Sequence, residues 1–290
     1  MNKFFRRAVL FLVSLIFIVA GVFCLVLYSN SLNPAGSSPV IEAPDAWPPD
    51  EPPEKPEGSS ELVMLNRYKD YYEENEDLVG WIRVPNTAID YPVVYCSDNY
   101  FYLHNDFLKK PSKEGVPFLD MGAGILENNR SLSIYGHYLK NGKMFTALHK
   151  YKNLDYYRSY PLFQFDTLYE EGLFKIFSVF YMAGNRSDKL FYYYPVADFP
   201  DDEAFMRHVK QLQVRSIFDT TVDVDPGDQL VLLTCCTYEV DNLRLIVAGR
   251  KVRPGESLSI DTEGASLNPQ PLYPQKWYNS KGGSPPEGSY

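Results

Sequence analysis

The sequence is poor in the features that would assign it quickly. Its 290 residues hold four cysteines, at positions 24, 96, 235 and 236, and only four histidines. No regular disulfide framework can be read from them, and two adjacent cysteines rarely reach good disulfide geometry. No C-x-x-C pair or Cys/His spacing suggests zinc, so neither a metal nor another cofactor is expected. Basic residues are not in excess: 28 Lys and Arg face 37 Asp and Glu, for a net charge of −9, which argues against nucleic acid as a partner. There is no internal repeat. What the chain does have is an aromatic content of 15%, mostly tyrosine, which suits half-buried strands.

Five regions follow from composition. Residues 1–7 carry Lys3, Arg6 and Arg7 without an acid and are expected in the cytosol. Residues 8–28 (AVLFLVSLIFIVAGVFCLVLY) are uncharged and long enough to span a ~30 Å hydrocarbon core as a transmembrane anchor. The apolar run is too long for a signal peptide and no small-x-small cleavage site follows it. Residues 29–59 are rich in Pro, Ser and acids and are expected to form a flexible linker. Residues 60–253 should hold the folded domain, and 254–290 return to a Pro/Gly/Ser-rich composition that predicts a flexible tail. The resulting localisation is a single-pass membrane protein with its folded domain outside the cell.

Within the folded region, Leu62, Leu65, Tyr68 and Tyr72 recur at helical spacing, with Ser59 or Ser60 as N-cap. Seven apolar runs bounded by turn residues read as strands: 81–84, 90–95, 115–120, 131–136, 173–182, 229–236 and 243–252. A helix after Asp201 and Asp202 stripes Phe205, Val209 and Leu212 on one face. Residues 151–162 are ambiguous. The pattern predicts an all-β-dominated barrel or sandwich with an N-terminal and an inserted helix.

The chemistry concentrates in VLLTCCTYEVDNLRLIVAGR, residues 231–250. A thiol at a strand end can face a groove, and it becomes nucleophilic when a cation or base stabilises the thiolate. Free cysteine is also a common small core residue. The short TYEVDN loop makes the two strands antiparallel neighbours, which brings Arg244 near Cys235 as an oxyanion donor. Arg250 and Arg253 read as surface arginines. Among the histidines, His208 reads as a boundary residue, His149 as solvated and His104 as structural. His137 follows a strand and a glycine in IYGHYLKNGKMF, at the edge of a turn.

These pieces resemble a known family. VLLTC followed by Arg244 is similar to the T-L-x-T-C signature and trailing arginine of sortases, and IYGHYLKNGKMF is similar to their histidine segment. DLVGWIRVPNTAIDYPVV, DNYFYLHNDF, GVPFLD and DDEAFMRHVKQL, in that order, resemble class B members over residues 60–253. Val231 replaces the first signature Thr, Leu233 stands where class B members have Ser, and Tyr138 where Asn is common.

The resemblance implies an eight-stranded β-barrel and a membrane-anchored cysteine transpeptidase of Gram-positive bacteria. Cys235 would attack a sorting signal of Asn-Pro-x-Thr type in a secreted protein, with Cys236 a bystander. His137 would act as acid and base, and Arg244 would hold the oxyanion or the peptide. Asn99, Leu103 and Thr234 would line the substrate groove. A cell-wall precursor amine would then release the acyl chain. Two alternatives remain open at this stage: a pilin-polymerising sortase, and a non-catalytic membrane-tethered barrel that binds a peptide or wall component. A redox role for the vicinal thiols is disfavoured by strand register. Asn268-Pro269-Gln270-Pro271 in the tail partly resembles a sorting motif, read as coincidence rather than a pseudosubstrate.

Overall fold

The computed structural model describes residues 62–124, 129–184 and 196–286. The anchor at 8–28, the linker at 29–59 and the Ser59/Ser60 cap lie outside these residues. Among the described residues no helix is long and apolar enough to cross a membrane.

Eight strands close into a barrel in the order β1-β2-β3-β4-β8-β9-β6-β5. They are β1 (Leu78–Arg83), β2 (Asp90–Val94), β3 (Phe118–Leu119), β4 (Ser131–Gly136), β5 (Leu162–Thr167), β6 (Leu173–Ala183), β8 (Leu230–Thr237) and β9 (Leu243–Lys251). Two short strands outside it, β7 (Phe218–Asp219) and β10 (Ser266–Leu267), pair with each other. Helices α1 (Lys69–Glu74), α2 (Leu154–Ser159), α3 (Asp202–Gln213) and α4 (Gln275–Lys281) decorate the surface. Closure leaves no free edge among the eight strands, which removes a route to edge-to-edge aggregation.

The alternation of side chains along β8 and β9 organises the whole molecule. Val231, Leu233, Cys235, Leu245 and Val247 belong to the core inside the barrel. Leu230, Leu232, Ile246 and Ala248 belong to a second cluster on the other face, under Phe205, Val209 and Leu212 of α3. Successive residues of a strand point to opposite faces, so this split is the period-2 rule at work. α3 starts where the sequence places it: the Asp201 carboxylate accepts a hydrogen bond from the Ala204 backbone N–H at 2.7 Å.

Four expectations need correction. Seven strands were legible, and the eighth barrel strand, β5, was not read: it begins at the last residue of the ambiguous tract 151–162, which itself holds the end of a 3₁₀ segment (Phe145–Lys152) and α2. The N-terminal helix starts later and is shorter than its apolar spacing implied. Leu65 precedes a 3₁₀ turn (Asn66–Tyr68), and its N–H bonds the carbonyl of Leu168 instead of entering a helix.

Arg250 is not a surface residue. It is 1% exposed and paired with Asp223, Asp228 and Glu256. Arg253 extends that cluster through Asp223 and Asp228, both at 2.7 Å.

Finally, residues 254–286 do not form a flexible tail but lie on the barrel. Glu256 takes the ammonium of Lys175, Ala265 and Leu272 are buried, and Trp277 packs against Ala183, Val240 and Leu243. A Pro/Gly/Ser-rich composition concealed these apolar and charged anchor points. Asn268 bonds the backbone of Ile217 and Ser216, beside β7, so the Asn-Pro-Gln-Pro stretch occupies no substrate groove.

Candidate active site

β4 and β8 run parallel, with Tyr135 opposite Thr234 and Gly136 opposite Cys235. His137 therefore emerges from the end of β4 at the level of the two cysteines. Gly136 is required there: a Cβ on it would lie 2.4 Å from the Phe145 ring. β8 and β9 run antiparallel, with Cys236 directly opposite Arg244 and Cys235 opposite Leu245. Directly opposed residues of an antiparallel pair share a face.

That register separates the two thiols. Cys235 points into the barrel among Leu233, Leu245 and Val247 and is 1% exposed. Burial pushes its thiol pKa up, and the neighbouring Cys236 adds to the effect against a small opposing pull from Arg244. Cys236 is exposed on the other face, beyond the part that α3 covers, and Nη1 of Arg244 lies 3.9 Å from its sulfur. The structure departs here from the sequence expectation: Cys235, read as the reactive sulfur, is packed inside the barrel, and Cys236, read as a bystander, faces the groove.

The groove has a volume of about 290 Å³. Cys236, Arg244 and His137 line it together with Asn99, Leu103 and Thr234, so the structure brings together every predicted site residue except Cys235. Phe118, Tyr135 and Met182, which sequence reading did not single out, also line it, with Gly136 and Gly184. His137 Nε2 lies 2.8 Å from the Leu103 carbonyl, an acceptor, so this nitrogen carries the proton and Nδ1 is the basic nitrogen of the neutral ring. The Asn99 amide is fixed at both ends: it donates to Asp120 at 2.8 Å and accepts from the Met121 N–H at 2.8 Å. Tyr135 Oη donates to the same Asp120 carboxylate at 2.9 Å.

His149 is also placed differently from expectation. Its Nε2 lies 2.9 Å from the carbonyl oxygen of Cys236, and its ring meets Tyr138 edge-on at 4.7 Å. Desolvation by burial lowers its pKa, outweighing the favourable hydrogen bond, so the ring is a neutral donor to that carbonyl. The nearby Glu239 loses some of its charge preference to burial. Lys152 and the Tyr181 hydroxyl more than offset this and hold it below the ordinary carboxylate range.

A closed barrel that gathers a thiol, an imidazole and a guanidinium around one groove is the layout of a cysteine-dependent acyl-transfer enzyme. No family model matches the chain. Among curated proteins it is 28% identical over 194 residues to sortase B of Listeria monocytogenes, covering 65% of this chain and 75% of that protein. A sortase B-like structure from Bacillus anthracis is 30% identical with a TM-score of 0.60, covering 67% of this chain and 86% of the other. Sortase B of Clostridium perfringens is 27% identical with a TM-score of 0.59, covering 64% and 99%. The chain belongs to the sortase B family, the class B cysteine transpeptidases of cell-wall sorting.

Laying the T-L-x-T-C signature on Cys236 gives Leu232-Leu233-Thr234-Cys235-Cys236. A hydroxyl residue, Thr234, then occupies the position where class B members carry Ser, and it lines the groove. Cys235 takes the place of the signature Thr.

Proposed function

We propose that this chain is a membrane-anchored transpeptidase for an Asn-Pro-x-Thr-type sorting signal, with Cys236 as nucleophile, His137 as acid and base, and Arg244 as oxyanion donor. The observation that carries this reading is the shared groove, with the Arg244 guanidinium beside the Cys236 sulfur and His137 on the same wall. The Cys236 thiolate attacks the carbonyl carbon of the motif threonine. Arg244 donates to the oxyanion of the tetrahedral intermediate, where a charge-assisted bond gains strength as negative charge develops. The C–N bond breaks, the leaving amine takes a proton from His137, and a thioester remains on Cys236. A cell-wall amine then gives its proton to His137 as it attacks the thioester, and Cys236 departs as thiolate.

Asn99, Leu103 and Thr234 hold the motif. The Asn99 amide, oriented in advance by Asp120, presents a fixed donor and acceptor pattern to a peptide and reduces the ordering cost of binding. The anchor at 8–28 places the domain outside the cell, where secreted proteins and wall precursors meet. Tethering raises the effective concentration of each.

The test uses the full chain in detergent or vesicles, an internally quenched Asn-Pro-x-Thr peptide and a glycyl amine. The expected outcome is cleavage after the threonine and an amine-dependent transfer product. A chain that binds the peptide but never cleaves it would support the tethered binding barrel instead.

A further inference from the structure

The pair Cys236–Arg244 is the second rung from the loop end of the β8–β9 hairpin, with only Thr237 opposite Leu243 between it and the connecting loop. Rungs beside an exposed loop open at lower free-energy cost than those in the middle of a sheet unless something packs on them. Here the C-terminal segment does. The Trp277 ring, on α4, packs against Ala183, Val240 and Leu243, which are all buried at this end of the barrel. Trp277 also stacks on Tyr273 at 4.5 Å and meets Tyr181 at 4.8 Å. Tyr181 Oη in turn donates to Glu239 at 2.6 Å, in the loop that joins the two reactive strands. The surface pair Lys276–Asp241, at 3.6 Å, adds little by itself.

The geometry points to Trp277 as a positioning residue: the C-terminal segment clamps the loop end of the β8–β9 hairpin and so fixes the Arg244 guanidinium against the Cys236 sulfur. This rests on the reading of the groove given above. Its role differs from simple stabilisation because the contact falls on the loop between the two reactive side chains. Trp277 and Tyr273 also pack against the barrel core, whereas the core under α3 lies apart from both.

The test compares full-length Trp277→Ala, Trp277→Phe and Leu212→Ala, the last a core truncation on the buried face of α3 that lies outside the groove. Well below the melting temperature of each variant, Trp277→Ala should lower kcat for acyl transfer about tenfold, since small misplacements of reacting groups carry such costs, with KM within about twofold. Hydrogen exchange in residues 236–245 should rise in that variant alone. Trp277→Phe should recover most of kcat, and Leu212→Ala should lose stability without losing kcat per folded molecule. Equal kcat in Trp277→Ala and the parent overturns the inference, as does an equal loss in Leu212→Ala. If Trp277→Ala does not fold, Tyr273→Ala, which removes only the stacked ring, should show the same kcat-selective loss at about threefold, in line with one aromatic contact. An unchanged kcat there is equally fatal. A parent chain that forms no acyl adduct at all marks failure of the groove reading instead.

Discussion

Arg244 and Arg250 stand on the same strand, six residues apart and on the same face, yet their surroundings are opposite. Arg250 is 1% exposed and enclosed by Asp223, Asp228 and Glu256. Arg244 is half-buried at the groove, and among the described residues it makes no ion pair; its nearest polar partner is the sulfur of Cys236. A guanidinium whose charge is already matched by carboxylates is committed to the fold. One left without a carboxylate keeps its donors for charge that appears during a reaction. The hairpin therefore carries a structural end and a reactive end.

Substitutions at the two ends should separate cleanly. Arg244→Ala should lower kcat by about 100-fold or more, the cost of losing an oxyanion donor, while the melting temperature stays within a few degrees. Steady-state kinetics beside thermal unfolding checks this, and a loss of stability comparable to that of an Arg250 variant would erase the distinction. Arg250→Ala should do the reverse. It leaves a buried cavity and removes the one cation shared by all three carboxylates, leaving Asp223 and Asp228 to Arg253 and Glu256 to Lys175, and breaking a buried pair of this kind costs about 3–5 kcal/mol. Denaturant unfolding reads that loss, with activity per folded molecule retained.

A smaller effect concerns Glu256, whose pKa is depressed chiefly by the Arg250 guanidinium, with burial opposing and Lys175 assisting. A depressed carboxylate contributes stability above its unfolded pKa and loses it as pH falls through the folded value. Glu256→Gln should thus be destabilised at neutral pH, and the gap to the parent should shrink steadily as the pH drops below the usual carboxylate range. A gap that is constant with pH would remove the charge argument.

The smallest expected effect lies at neither end but on α3. Burial alone lowers the His208 pKa from 6.5 to about 4. The unfolded chain takes up this proton first, so stability is complete above pH 6.5 and falls as the pH drops toward 4. His208→Leu should flatten that decline by about 1–2 kcal/mol across the interval, measured by urea unfolding at several pH values. The parent and variant curves running parallel would contradict it.

Much of the architecture was legible because two periodicities dominate it. The hydrophobic runs at 131–136, 229–236 and 243–252 became β4, β8 and β9, and the stripe of Phe205, Val209 and Leu212 became the buried face of α3. β5 was hidden because its apolar residues alternate with Gln164 and Asp166, which are buried as well. Asp166 is satisfied by Tyr68 and Gln164, partners that local sequence does not reveal. The final segment was misread for the converse reason: its few aromatic anchors are diluted by Pro, Gly and Ser.

At the site, His137, Arg244, Asn99, Leu103 and Thr234, read from motif resemblance, all line the groove, whereas of the two cysteines it is Cys236 and not Cys235 that does. Linear matching favours Cys235, because Thr234 then falls in the signature position. Register decides otherwise. Val231, Leu233 and Cys235 form one face and Thr234 and Cys236 the other, and Arg244 shares its face with its cross-strand partner. That parity argument was available from the sequence once the hairpin was assigned.

The claim that the sulfur of Cys236 performs the chemistry is tested most directly by single-cysteine variants of the full chain. Each is mixed with an Asn-Pro-x-Thr peptide, quenched in acid, and weighed by mass spectrometry for the thioester adduct. The account predicts that Cys235→Ala accumulates the acyl adduct and that Cys236→Ala shows none. An adduct on Cys236→Ala that disappears in Cys235→Ala would contradict it.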